Sequence, residues 1–216
     1  MKILGIRTPL RVFELELLFT ESQLKARNKP EYVTMAQQIA EKRAAIKEIR
    51  REYEELEDVE IIALAAKSDA DANRDSTLIR MGRLMDSIDP NLRQRIMHMV
   101  PSKIAKLAMD KETVAIDDIL TRLKTLDENH PIRTFWEPTL AEQNEYFKNV
   151  SGQLAEIHSK WVDIRNTVIN LKLDLDTHRN QIFGELVKQE GKVAALGYFR
   201  KGPTYSPKTP DSPETE

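Results

Sequence analysis

The histidines are the residues of this sequence best suited to metal or proton chemistry, so their spacing is the first thing to weigh. A carboxylate-bridged di-metal bundle needs Glu-x-x-His pairs, which project both ligands from adjacent turns of facing helices. Three residues before His98, His130, His158 and His178 stand Arg95, Asp127, Ala155 and Leu175. Only Asp127–His130 pairs two ligand types, and Pro131 bounds it in a turn-forming stretch. No metal site is expected. His178 falls on the seam of an amphipathic pattern, where an imidazole could serve as ligand, base or pH switch. A polar seam residue also fixes register, as Asn does in coiled coils, and the pattern favours that role. Asp174 and Asp176 flank Leu175, but residues two apart do not share a helix face.

Other chemistry is poorly represented. The chain has no Cys, which excludes thiol catalysis and Cys-ligated clusters. Its glycines are scattered, with neither GxxxxGK[ST] nor GxGxxG to cradle a phosphate, and no GxSxG elbow presents a serine. No enzyme and no cofactor is expected.

Recognition is better served. Residues 74–111 hold eight basic side chains (Arg74, Arg80, Arg83, Arg93, Arg95, Lys103, Lys106 and Lys111) against four Asp, a local charge of 8 − 4 = +4. Such a face could track phosphates, and a helix–break–helix there parallels DNA-reading motifs. The stretch lacks aromatics for stacking, so a solvated bundle face is the favoured reading. Phe135–Trp136 could anchor a protein partner, or plug the end of a bundle. Two PxxP matches, Pro207–Pro210 and Pro210–Pro213, lie in a Pro-rich end where they arise easily.

The elements that would carry these residues are helices. Thr8–Pro9 predicts a helix start, with Leu10, Phe13, Leu17 and Leu24 on one face and an end near Lys29, before Pro30. Tyr32, Met35, Ile39, Ile46, Ile49, Tyr53 and Leu56 form a narrow seam on a long, charged helix, continuing through Ile61, Ile62 and Leu64 to Ala66. Ser68–Asp71 then predicts a turn and a third helix with Leu78, Met81, Leu84, Met85 and Ile88 inward. Asp89–Pro90 and Pro101 predict one kinked helix or two short ones, and Asp110 caps the next, carrying Val114 to Leu126. Asp127–Pro131 reads as the clearest boundary. Beyond Pro138 the period resumes, with Gly152 a candidate break. From Leu154 through Ile157, Trp161, Ile164, Val168, Leu171, Leu175 and His178 to Ile182 it alternates three and four, the mark of coiled-coil packing.

The 216 residues carry 31% charged and 6% aromatic residues and a net charge of −2, so no global field draws nucleic acid or membrane. The composition favours an all-α antiparallel multi-helix bundle with long coiled-coil-like helices. The expected organisation is an N-terminal bundle over 1–127, a long-helix pair over 132–200 packed on it, and a disordered Pro-rich tail over 201–216. With no signal-like or membrane-spanning run at hand, a cytoplasmic location is expected.

The order of Asp69-Ala70-Asp71-Ala72-Asn73-Arg74-Asp75, Asp89-Pro90, Lys111 to Leu120, Phe135-Trp136 and Asn144-Glu145-Tyr146-Phe147, closed by a long Arg-containing helix, resembles a family of uncharacterised all-helical proteins found mainly in Bacteroidales. The resemblance spans roughly 1–200 and implies an all-helical fold, and it carries over no activity. Together these readings point to a non-enzymatic structural or interaction protein that binds a protein partner or itself. Phe135, Trp136 and His178 are its candidate contact residues. The alternative is a nucleic-acid-associated protein using the basic 74–111 face.

Overall fold

A computed structural model describes residues 4–200, and every regular element among them is a helix. They are α1 (Leu10–Arg27), α2 (Pro30–Ile88), α3 (Pro90–Ile96), α4 (Pro101–Ile104), α5 (Met109–Leu123), α6 (Pro131–Glu190) and α7 (Lys192–Leu196). None is long and apolar enough to cross a membrane. The Pro-rich 201–216 segment lies outside the described residues.

Proline sets most helix starts: Pro30, Pro90, Pro101 and Pro131 each open a helix, where the missing N–H has no intrahelical partner to lose. Asp89 caps α3 through Asn91 N–H (2.9 Å). α1 begins after Pro9, so Thr8 is not its cap. It ends on Asn28 in the left-handed conformation (φ 47°), a geometry Asn tolerates. Ala108, not Asp110, precedes α5, which leaves Asp110 in the first turn facing the helix dipole. Gly191, at φ 82°, separates α6 from α7.

Three expected breaks do not occur. α2 runs through Ser68–Asp71, because a capping side chain starts a helix only where the chain before it has left one. Here alanines at 63, 65, 66, 70 and 72 sustain helix on both sides. α6 likewise runs through Gly152 and contains Pro138, whose ring removes only the bond to the Thr134 carbonyl. The 89–108 region resolves into two short helices rather than one.

The described residues form two compact units that are not sequential: 4–53 with 163–200, and 54–162. The boundary expected at 127–132 falls inside the second unit, at the α5–α6 turn where Asn129 N–H bonds Asp127. The reason is that α2 and α6 each contribute to both units. In the first unit, Phe13, Leu17 and Leu24 of α1, Tyr32, Ile39 and Ile46 of α2, and Leu175, Ile182 and Leu186 of α6 form the core, closed by Tyr198 and Phe199. In the second, Leu78, Met81 and Met85 pack with Leu92, Ile96, Met97 and Ile104, with Ile116, Ile119 and Leu123 of α5, and with Ile132 and Leu140 of α6. In the first unit α2 and α6 run antiparallel, as the Tyr32–Glu190 and Lys42–Asp174 (2.6 Å) contacts require, and in the second as Glu60–Trp161 (2.8 Å) and Arg74–Asn144 (3.1 Å) require.

Candidate functional site

The second unit buries a charged cluster. Arg74 is wholly inaccessible, and its guanidinium lies 3.7 Å from the centre of the Phe147 ring. Nη2 reaches Asp71 (3.0 Å) and Glu112 (2.9 Å), while Nη1 donates to Thr113 and Asn144 (both 3.1 Å). Asn144 passes the chain on to Asp117 (2.8 Å), which also holds Lys148. Burial raises Glu112 to about 7 against the pull of Arg74, with Asp75 and Asp71 adding to the rise. Asp75 is raised too, by burial and then by Asp71, and a hydrogen bond joins it to Glu112. Glu112 Oε1 and Asp75 Oδ1 are buried without another hydrogen-bond partner.

A second cluster closes the first unit. Glu190 accepts from Tyr32, Tyr198 (2.9 Å), Lys29 (2.8 Å) and Arg27 (2.9 Å). Lys29, then Tyr32 and Tyr198, hold its carboxyl at about 2. Arg27 and Lys29 also stand over the Tyr198 and Tyr32 rings (4.5 and 5.0 Å). Each cluster makes its contacts within its own unit and ties its helices together. Among the described residues no group of three or more His, Asp and Glu is placed to hold a metal ion.

The surface that differs from an ordinary solvated helix is the middle of α2. Its buried side there consists of Leu56 and the small residues Ala63 and Ala70, while Phe147, Val150, Leu154 and Ile157 are the buried apolar residues of the facing stretch of α6. Glu60 accepts from Trp161 Nε1 (2.8 Å) beside His158. The large aliphatics point away: Val59, Ile61, Ile62 and Leu64 are 49, 60, 69 and 50% exposed. They form two i,i+3 pairs on either side of the buried seam, Val59 with Ile62 and Ile61 with Leu64. This corrects the expectation that Ile61, Ile62 and Leu64 extend the seam. The seam steps from Leu56 by seven to Ala63 and Ala70, and the aliphatics are out of that register. Glu54–Ala66 carries five acids and no base. The segment was legible as apolar and acidic, but its outward facing needed the register of α6.

The residues singled out in the sequence are not brought together. Phe135 is 65% exposed and stacks edge-on upon Trp136, which packs on the second core with its Nε1 buried and unbonded. His178 is half-buried in the first unit beside Glu31, Gln38 and Glu185, with Nε2 lacking a hydrogen-bond partner; burial and then Lys42 lower its pKa. His130 accepts from Ile132 N–H and so caps α6. Of the proposed basic face, Arg74 is withdrawn into the core, because its charge is matched there by Glu112 and Asp71. Arg93 is held by Asp86 (2.6 Å). Arg80, Arg83, Arg95, Lys103, Lys106 and Lys111 are exposed, spread over four helices and the turn after α4. Compared with family models, curated proteins and solved structures, the chain gives no significant match.

Proposed function

We propose that this protein is a non-enzymatic interaction module whose long helices present a docking surface to a protein partner. The observation that carries the reading is the exposure of Val59, Ile61, Ile62 and Leu64 within one turn and a half of α2. Aliphatics scattered singly on a surface need no explanation, but two exposed i,i+3 pairs within six residues, rimmed by charge, are what interaction sites expose. In the same unit the buried Arg74 cluster ties α2 to α5 and α6 through Glu112 and Asn144. Phe135 offers a second apolar contact at the start of α6. The nucleic-acid reading loses Arg74 to the core and Arg93 to Asp86, and no aromatic joins the remaining cations.

A photo-crosslinking residue placed at Ile62, with the exposed Lys124 as control, tests the reading in the source cell. A discrete adduct from position 62 and none from 124 supports it. No adduct, or the same adducts from both positions, overturns it.

A further inference from the structure

We infer that the Val59–Ile62–Ala66 face of α2 docks a basic amphipathic helix of another protein. This rests on the interaction reading above and names the class of partner. Glu55, Val59, Ile62, Ala66 and Asp69 step by four, three, four and three, so they line one face of α2 at the spacing a helical partner reads. The centre of that face is apolar: Val59 and Ile62 are well exposed and Ala66 is half-exposed. Both ends are acidic and exposed, Glu55 before the apolar centre and Asp69 after it, with Asp58 one turn before Ile62 along the edge.

This layout selects against a second copy of the chain. In an antiparallel pairing centred on Ile62, Glu55 lies opposite the copy's Asp69. In a parallel pairing each acid meets itself. Either orientation places like charges against each other around the apolar centre, which costs affinity and blocks the wrong partner. A helix with aliphatic residues at heptad spacing and Lys or Arg flanking them satisfies the apolar centre and both acidic ends at once. The small buried residues Ala63 and Ala70 keep α6 close on the opposite side, so the face is held on a two-helix platform.

A fluorescent three-heptad peptide with Leu at a and d and Lys at e and g is the probe, titrated against the full chain and read by anisotropy. Binding is expected, weakening as salt rises from about 50 to 500 mM because the rim contacts are screened. Ile62→Glu separates docking from mere charge attraction, since it removes the apolar anchor while making the face more acidic. Docking predicts a loss of about tenfold or more, the order set by one buried aliphatic side chain. Equal or tighter binding by Ile62→Glu overturns the proposal, and so does equal binding of the same peptide with Glu in place of Lys. Light scattering on the peptide-free protein is the other arm: a dimer abolished by Ile62→Glu assigns the face to a second copy and overturns it. If the peptide fails while the position-62 crosslink still captures a discrete partner, the basic class falls and the interaction reading stands. If both fail, both fall.

Discussion

Arg74 Nη2 and Glu112 Oε2 lie 2.9 Å apart with neither side chain more than 2% exposed, which places a complete ion pair inside the second unit. The pair is held by Asp71, Thr113, Asn144 and the face of Phe147, so the guanidinium meets charge, hydrogen bonds and a π surface together. Such a pair adds little over a well-packed apolar substitute, but breaking it strands a charge. Arg74→Ala is therefore expected to destabilise by about 3–5 kcal/mol. The double variant Arg74→Met with Glu112→Gln should recover a clear part of that loss. Denaturant melts of the single and double variants decide it, and equal losses would show that the cluster is not acting as a pair.

The same cluster gives stability a pH slope. Glu112 ionises near 4.5 when unfolded and at about 7 in the fold. Between those values the folded state keeps a proton that the unfolded state has released, so stability falls as pH rises through that window. Asp75, raised as well, adds to the same trend. Glu112→Gln should flatten the fall in Tm between pH 5 and 7.5, and an unchanged slope would assign it to other groups.

Glu190 has the opposite sign. Its carboxyl, held at about 2 by Lys29, Tyr32 and Tyr198, contributes stability that is present above its ordinary 4.5 and lost as pH falls through 2. Glu190→Gln should be less stable than the parent at pH 7, and the gap should close as both approach pH 2. A gap that persists in acid would mean the loss is one of shape rather than charge.

Gly82 of α2 sits against Pro101, the first residue of α4. A Cβ added there would stand 2.4 Å from the proline Cγ, inside any tolerable contact. Helix propensity alone favours Ala over Gly by up to about 1 kcal/mol. The clash should reverse that sign, and Gly82→Ala is expected to cost about 1–3 kcal/mol as an overpacking change. A thermal melt showing stabilisation would mean that α4 moves aside freely.

Burial separates the aliphatics of the long helices. Leu175→Ala, in the first core, should cost about 2–5 kcal/mol. Ile62→Lys, on an exposed position, should change stability by no more than about 0.5 kcal/mol. Chemical denaturation of both variants checks the contrast. A large loss at Ile62 would show that this face is already covered in the isolated protein.

Much of the architecture was written in the sequence because it depends on local chemistry. The prolines at 30, 90, 101 and 131 fix helix starts by lacking an N–H, and Asn28 marks a stop by tolerating positive φ. Of the seam Tyr32, Met35, Ile39, Ile46, Ile49, Tyr53 and Leu56, five residues are buried as the spacing dictates, while Met35 is half-buried and Tyr53 is exposed. Local signals failed where their effect depends on what precedes them. Ser68–Asp71 and Gly152 can start or end a helix, yet neighbouring turns with good helix formers carry α2 and α6 straight through.

The candidate site depended on register, which only the tertiary structure supplied. Whether Ile62 faces α6 or solvent follows from which side of α2 meets Phe147, Leu154 and Ile157, and the alanines at 63 and 70 make that side the closer fit. Arg74 has the same lesson in reverse. Its sequence neighbours allow a solvated cation, but Glu112, Asn144 and Phe147, 38 to 73 residues further along the chain, convert it into the centre of a buried cluster. Spacing within a helix defines its faces. Which face is covered is decided by the partner helix, through the volume it must fit and the charge it must match.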